Sequence, residues 1–157
     1  MTTAANAGSA SDRLQALGLA LPELRENPYY VDHRAVGPSI YISGQLPYLN
    51  GELLGRGVVG RDVELETARE LARHAALNCL AAAVQAVGDL DRVRIVQMLV
   101  FVASTPDFGE QSTVASAASE LLIQVLGENG RHARTAIGVA GLPLRSPVEI
   151  QMVCTAV

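Results

Sequence analysis

Two helical stretches stand against at least four strand-like runs in this chain, and that imbalance limits what it can fold into more than any other feature. From Glu64 to Val87 the residues Leu65, Ala68, Ala72, Ala75, Cys79, Ala83 and Ala86 recur at helical spacing, with Glu66, Glu70 and Arg73 on another face. Gly88 stops this helix, and Asp62, Glu64 and Glu66 suit its electropositive start. A second helix is predicted over Gln111 to Leu126. Strands are predicted over Tyr29–Val36, Ile40–Ile42, Val93–Ala103, Thr135–Ala140 and Val148–Val157, the first two joined as a hairpin through Gly37-Pro38. Met98 to Val102 is apolar on both faces, as expected of a strand covered on both sides. Two helices cover only one face of such a sheet, so the other needs a partner, most simply another copy of the chain.

The rest of the sequence reads as one domain, residues 11–157, behind a tail at 1–10 with almost nothing to bury. Ser11 to Gly18 suggests a short helix, and Pro22 and Pro28 mark an irregular stretch after it. Ser43-Gly44-Gln45 ends the hairpin, and Tyr48 to Arg61 is expected to be a surface loop with room for a small β-ribbon. No apolar run reaches the roughly 18 residues of a membrane helix, and the N-terminus has no secretory pattern. A cytoplasmic location without membrane partners is expected.

All twelve basic residues are Arg, and the absence of Lys removes side-chain Schiff-base chemistry and the P-loop from consideration. A net charge of −4 argues against a nucleic-acid partner, including an RNA substrate. Cys79 and Cys154 are far apart and read as buried thiols. His33, His74 and His132 form no metal-ligand spacing, and no Ser sits in a G-x-S-x-G turn. Neither a metal, nor a cofactor, nor a covalent nucleophile is expected.

Arg134 and Glu149 are the informative ionisable residues, each at the edge of or within an otherwise apolar strand. In the last strand Val148, Ile150, Met152, Cys154 and Ala156 share one face, which turns Glu149, Gln151 and Thr155 to the other. A carboxylate on an oligomer seam needs an ion-pair partner, hydrogen bonds or acid–base work. The residue pattern leaves structural pairing and catalysis both open.

Several segments resemble the RidA (YjgF) family. Tyr41-Ile42-Ser43-Gly44-Gln45-Leu46-Pro47 is similar to its first signature, and Val100-Phe101-Val102 followed by Asp107-Phe108 to its central strand and helix start. Arg134-Thr135-Ala136, Leu142-Pro143 and Val148-Glu149-Ile150 resemble its C-terminal signature. The likeness runs from about Tyr29 to Val157; the extension before Pro28 and the Gly-rich loop after Pro47 suggest a divergent branch.

The resemblance implies a chorismate-mutase-like α+β fold, a mixed sheet with two helices on one face, and a homotrimer around a central barrel with clefts between subunits. It assigns Arg134 to a substrate carboxylate and Glu149 to water and proton transfer, with Tyr30, Ser43, Gly44 and Ala136 lining the cleft. Ala136 departs from the Cys common there. The implied activity is cofactor-free hydrolytic deamination of enamines or imines, 2-imino acids giving 2-oxo acids and ammonia. Two alternatives are a non-catalytic trimer binding small carboxylates or a partner protein, and a biosynthetic tailoring enzyme for another enamine or enol.

Overall fold

The structure, a computed structural model, describes residues 8–157. A first helix, α1 (Ala10–Ala16), starts earlier than expected because Ser9 caps it. The Ser9 Oγ accepts from the Asp12 amide at 3.1 Å, and the Asp12 carboxylate accepts from the Ser9 amide at 2.9 Å. Ala10 and Leu14 are buried, and Arg13 Nε donates to the Val125 carbonyl at 2.7 Å. Residues 8–10 therefore belong to the domain; the remainder of the expected tail lies outside the described residues.

The main sheet contains β1 (His33–Val36), β2 (Ser39–Gln45), β5 (Val93–Ala103), β6 (Ala133–Val139) and β7 (Val148–Ala156), in the order β1-β2-β7-β5-β6. A separate ribbon, β3 (Tyr48–Leu49) and β4 (Glu52–Leu53), lies in the Gly-rich loop. Only β5 and β6 are parallel, and α3 (Gln111–Leu126) lies between them in sequence, as a parallel pair requires. The mixed α+β architecture is the one expected. The first strand is shorter than Tyr29–Val36: Asn27 Oδ1 accepts from the Tyr29 amide at 2.9 Å in a local turn, and pairing begins only at His33.

The sheet's inner face is sealed by α3 and α2 (Leu65–Val87), with α1 packed against α3 as a third, short helix. Small side chains on α2, including Ala68, Ala72, Ala75, Ala76, Ala82 and Ala83, are fully buried and let the helix lie close to Ile150, Met152 and Cys154. Gly88 ends α2 at φ 87°, a conformation that favours glycine. No helix among the described residues is long and apolar enough to cross a membrane.

The outer face is different. Among the described residues of the protomer nothing covers Tyr41, Val96 and Ile137, each more than 40% exposed, and Leu99 and Phe101 are only half-buried. The expectation that β5 is covered on both sides holds for its inner face alone in one copy. A bulge between Ile95 and Gln97 switches which residues point inward, from Val93 and Ile95 to Met98, Val100 and Val102.

A 3-10 turn at Gly127–Gly130 connects α3 to β6, and Gly130 is buried there. A Cβ on Gly130 would overlap the Leu122 carbonyl and lie 2.9 Å from the Ile123 amide nitrogen, so only glycine lets the turn rest on α3. Gly130→Ala is expected to cost about 2–3 kcal/mol, the scale of overpacking against an unyielding core. A shifted denaturation midpoint at unchanged slope in urea would show it.

Candidate active site

The sequence candidates separate into two groups on opposite faces of the sheet. Tyr30, Ser43, Gly44 and Glu149 come together, with Phe101, Leu142, Pro143 and Gln151, around a cleft of about 620 Å³ on the uncovered face. Glu149 opposite Phe101 in the β5/β7 register places both on that face. Arg134 pairs instead with Met98, which is buried beneath the helices, and Ala136 pairs with Val100. Arg134 and Ala136 thus project toward the helix side at the sheet edge, and the Ala136 methyl packs against the core. One protomer does not bring Arg134 to Glu149.

The Glu149 cleft owes its shape to a second bulge. Ile42 pairs with Met152 and Gln45 with Ile150, so β2 carries an extra residue around Ser43-Gly44. The Ser43 amide donates to the Asp32 carbonyl at 2.8 Å and its hydroxyl to the Val31 carbonyl at 2.6 Å. These bonds tie the segment bearing Tyr30 beside β2, which turns the expected end of the hairpin into one wall of the cleft. Tyr30 itself is 56% exposed.

Gly44 is the seat of Glu149. A Cβ at Gly44 would overlap Glu149 Oε1 and come within 3.0 Å of its Cδ, so the carboxyl group lies where any other residue would put its side chain. Glu149 is half-buried and makes no hydrogen bond or ion pair among the described residues. Burial raises its pKa above the ordinary carboxylate value, since desolvation penalises the charged form and no cation answers it. Within one protomer, no ion pair among the described residues accounts for this carboxylate. Gly44→Ala is expected to displace the Glu149 carboxyl group from this seat while the circular-dichroism spectrum stays unchanged, which a crystal structure of the variant would show.

Arg134 is held by α3. Its Nη1 donates to Ser116 Oγ at 3.3 Å and Ser119 Oγ at 3.2 Å, and its Nη2 to Ser112 Oγ at 2.7 Å. Ser119 also meets His132 Nε2 at 3.0 Å, and His132 Nδ1 lies 2.6 Å from the Gly130 carbonyl. The guanidinium remains exposed to solvent. Among the described residues no group of His, Cys, Asp and Glu could hold a metal ion.

Sequence reasoning missed Leu142, Pro143 and Gln151 as cleft residues, together with an adjoining recess of about 240 Å³. The recess shares Tyr30, Gly44 and Pro143 with the first cleft and is lined further by Arg25, whose guanidinium lies 4.6 Å from the Tyr48 ring centroid, and by buried Asn78. Leu144 and Arg145 adopt φ 56° and 60° in the 140–147 loop, which lines the two openings through Leu142, Pro143 and Leu144. Strand alternation puts Gln151 on the Glu149 face, but no local pattern brings the 140–147 loop and the extension before Pro28 to one opening, because they meet only in the folded chain.

The family model described as "YjgF/chorismate mutase-like, putative endoribonuclease" matches residues 11–155. Protein TCP17 of Trypanosoma cruzi is 41% identical over 146 residues, 91% of each chain. A solved structure from Shewanella oneidensis MR-1, carrying the same endoribonuclease designation, is 32% identical with a TM-score of 0.90, covering 94% of this chain and 99% of that one. The structure of RidA from an Antarctic Psychrobacter is 26% identical with a TM-score of 0.58, over 85% of this chain and 92% of that one. With the family model matched over residues 11–155 and a 32% identical structure superposing at a TM-score of 0.90, the chain belongs to the YjgF/RidA family.

Proposed function

We propose that the protein is a cofactor-independent deaminase converting 2-imino acids, or the enamines in equilibrium with them, to 2-oxo acids and ammonia in clefts shared by neighbouring copies of a homotrimer. The observation that carries this reading is the unpaired, half-buried Glu149 carboxyl seated on Gly44 in an open cleft. A carboxyl group with a raised pKa exists in both forms nearer neutrality, as a group that both gives and takes protons requires.

In the proposed reaction Glu149 in its acid form protonates the enamine carbon or the imine nitrogen. The resulting carboxylate takes a proton from water as the water oxygen bonds to the imine carbon. That proton passes to the nitrogen of the tetrahedral adduct, the C–N bond breaks with its electron pair on departing ammonia, and the C=O bond forms as the hydroxyl proton returns to the Glu149 carboxylate. Water and imine enter; 2-oxo acid and ammonia leave.

Arg134 supplies the carboxylate grip, and its placement requires a second copy. Because Arg134 and Glu149 point to opposite faces of one sheet, the guanidinium serving a given Glu149 belongs to the adjacent protomer. The exposed apolar groups Tyr41, Val96 and Ile137 give the outer face reason to be covered by such a copy. The test generates 2-imino acids with an amino-acid oxidase and follows their decay. Accelerated decay supports deamination; unchanged decay with tight carboxylate binding would favour a non-catalytic binding protein.

A further inference from the structure

The serine row that holds Arg134 is absorbed by none of the chemistry above. Ser112, Ser116 and Ser119 are spaced i, i+4 and i+7 on α3, so their hydroxyls line one face of the helix beside β6. Each accepts a hydrogen bond from Arg134. Two of them have their own protons committed elsewhere. Ser116 Oγ donates to the Ser112 carbonyl at 2.9 Å, which leaves only its lone pairs for the guanidinium.

The second commitment runs through His132. A carbonyl only accepts, so the 2.6 Å contact with Gly130 requires the proton on His132 Nδ1. Burial, together with the nearby Arg134 charge, favours the neutral ring against the pull of that carbonyl contact. Nε2 of neutral His132 is then a bare acceptor, and Ser119 Oγ donates to it. With the ring neutral, the chain runs one way: Arg134 donates to Ser119, Ser119 to His132, and His132 to Gly130. Gly130 holds its place because only glycine fits against Leu122.

The row also decides which part of Arg134 is left. Of five guanidinium N–H groups, both on Nη1 and one on Nη2 are taken. Among the described residues Nε has no partner and Nη2 only one, so the Nε/Nη2 side is the one left open to a side-on fork with a planar carboxylate.

We infer that Ser112, Ser116, Ser119 and His132 are positioning residues that orient Arg134 so that its Nε/Nη2 edge receives the ligand carboxylate. The inference rests on the proposal that Arg134 binds carboxylate. It further predicts that a carboxylate, whose two oxygens one fork satisfies, is preferred over a tetrahedral phosphonate, whose third oxygen finds no free guanidinium N–H.

The test measures calorimetric binding of 2-oxobutanoate and of propionylphosphonate, its tetrahedral counterpart, to the full-length protein. Ser119→Ala and Ser112→Ala are each expected to weaken 2-oxobutanoate about tenfold, the scale of one hydrogen bond to a charged group, and to erode the preference over the phosphonate. Ser119→Thr, which keeps the hydroxyl, should restore both. Nitrogen-15 spectra of histidine-labelled protein should show His132 with Nδ1 protonated and Nε2 bare, a signature that altered folding alone would not produce. Loss of binding in Arg134→Ala with unchanged binding in the serine variants, or an Nε2-protonated His132, would overturn the inference alone. Undiminished binding in Arg134→Ala, or no binding of either ligand, would overturn the carboxylate reading and the inference with it.

Discussion

Arg134→Ala is expected to lower kcat/KM for 2-imino acids by about 100- to 10,000-fold while the fold and assembly persist. Hydrogen bonds to charged groups contribute roughly 1.5–3 kcal/mol each, and the two free N–H groups of Arg134 would both be lost. The side chain is exposed and its partners are three serine hydroxyls rather than core atoms, so its removal leaves no buried charge behind. Steady-state kinetics over a range of imine concentrations checks this, and the loss should fall mainly on KM because the grip on the carboxylate is made before the reaction. Arg134→Lys should recover little, since an ammonium replaces a planar fork with a point charge.

Glu149→Gln is expected to divide activity and stability in opposite directions. Removal of a general acid–base group typically costs 100- to 10,000-fold in rate, and here the loss should fall on kcat. Stability should rise. Burial raises the folded-state pKa of Glu149 above its unfolded value, so between those two values the native state binds more protons than the unfolded state. Native stability therefore falls as pH rises through that window and stays reduced above it. Glutamine has no proton to lose, so Glu149→Gln should melt at a higher temperature than the parent protein at pH 8 and at nearly the same temperature at pH 4. Thermal scans at the two pH values check the sign. No advantage for the variant at pH 8 would mean that the Glu149 charge is already compensated.

Much of this architecture was legible because the apolar pattern was strong where it mattered. The bounds of β5 and α3 match their sequence-based limits, Val93–Ala103 and Gln111–Leu126, because both elements carry a strong apolar pattern ended by clear breaks. The outward side of Glu149 was legible too, since Val148, Ile150, Met152 and Cys154 all mark the opposite face and are all buried. The side chosen by Arg134 was not. On β6 Arg134, Ala136 and Gly138 alternate with Thr135, Ile137 and Val139, and the large apolar Ile137 faces the open side. Neither set looks like a core face, so only the pairing with Met98 and Val100 settles the direction.

The bulges were equally silent. Nothing in Ser43-Gly44 states that β2 gains a residue there, and the need for glycine appears only when Glu149 arrives from a strand more than a hundred residues later. The serines of α3 stand at helical spacing in plain view, yet their hydroxyls acquire a role only once β6 sets a guanidinium beside them. Ser9 displaced the expected start of α1 for a similar reason: the reciprocal bonds with Asp12 outcompete a start at Ser11.

The central claim, that each working cleft joins Arg134 of one copy to Glu149 of the next, is tested most directly by mixing two inactive variants. Arg134→Ala and Glu149→Gln proteins are dissociated, combined in equal amounts and reassembled, with native mass spectrometry confirming mixed oligomers. In random mixtures about one cleft in four pairs an intact arginine with an intact glutamate, so about a quarter of the parent activity should return. Mixed oligomers as inactive as their parents would contradict the account, because they would show that both groups must come from the same chain.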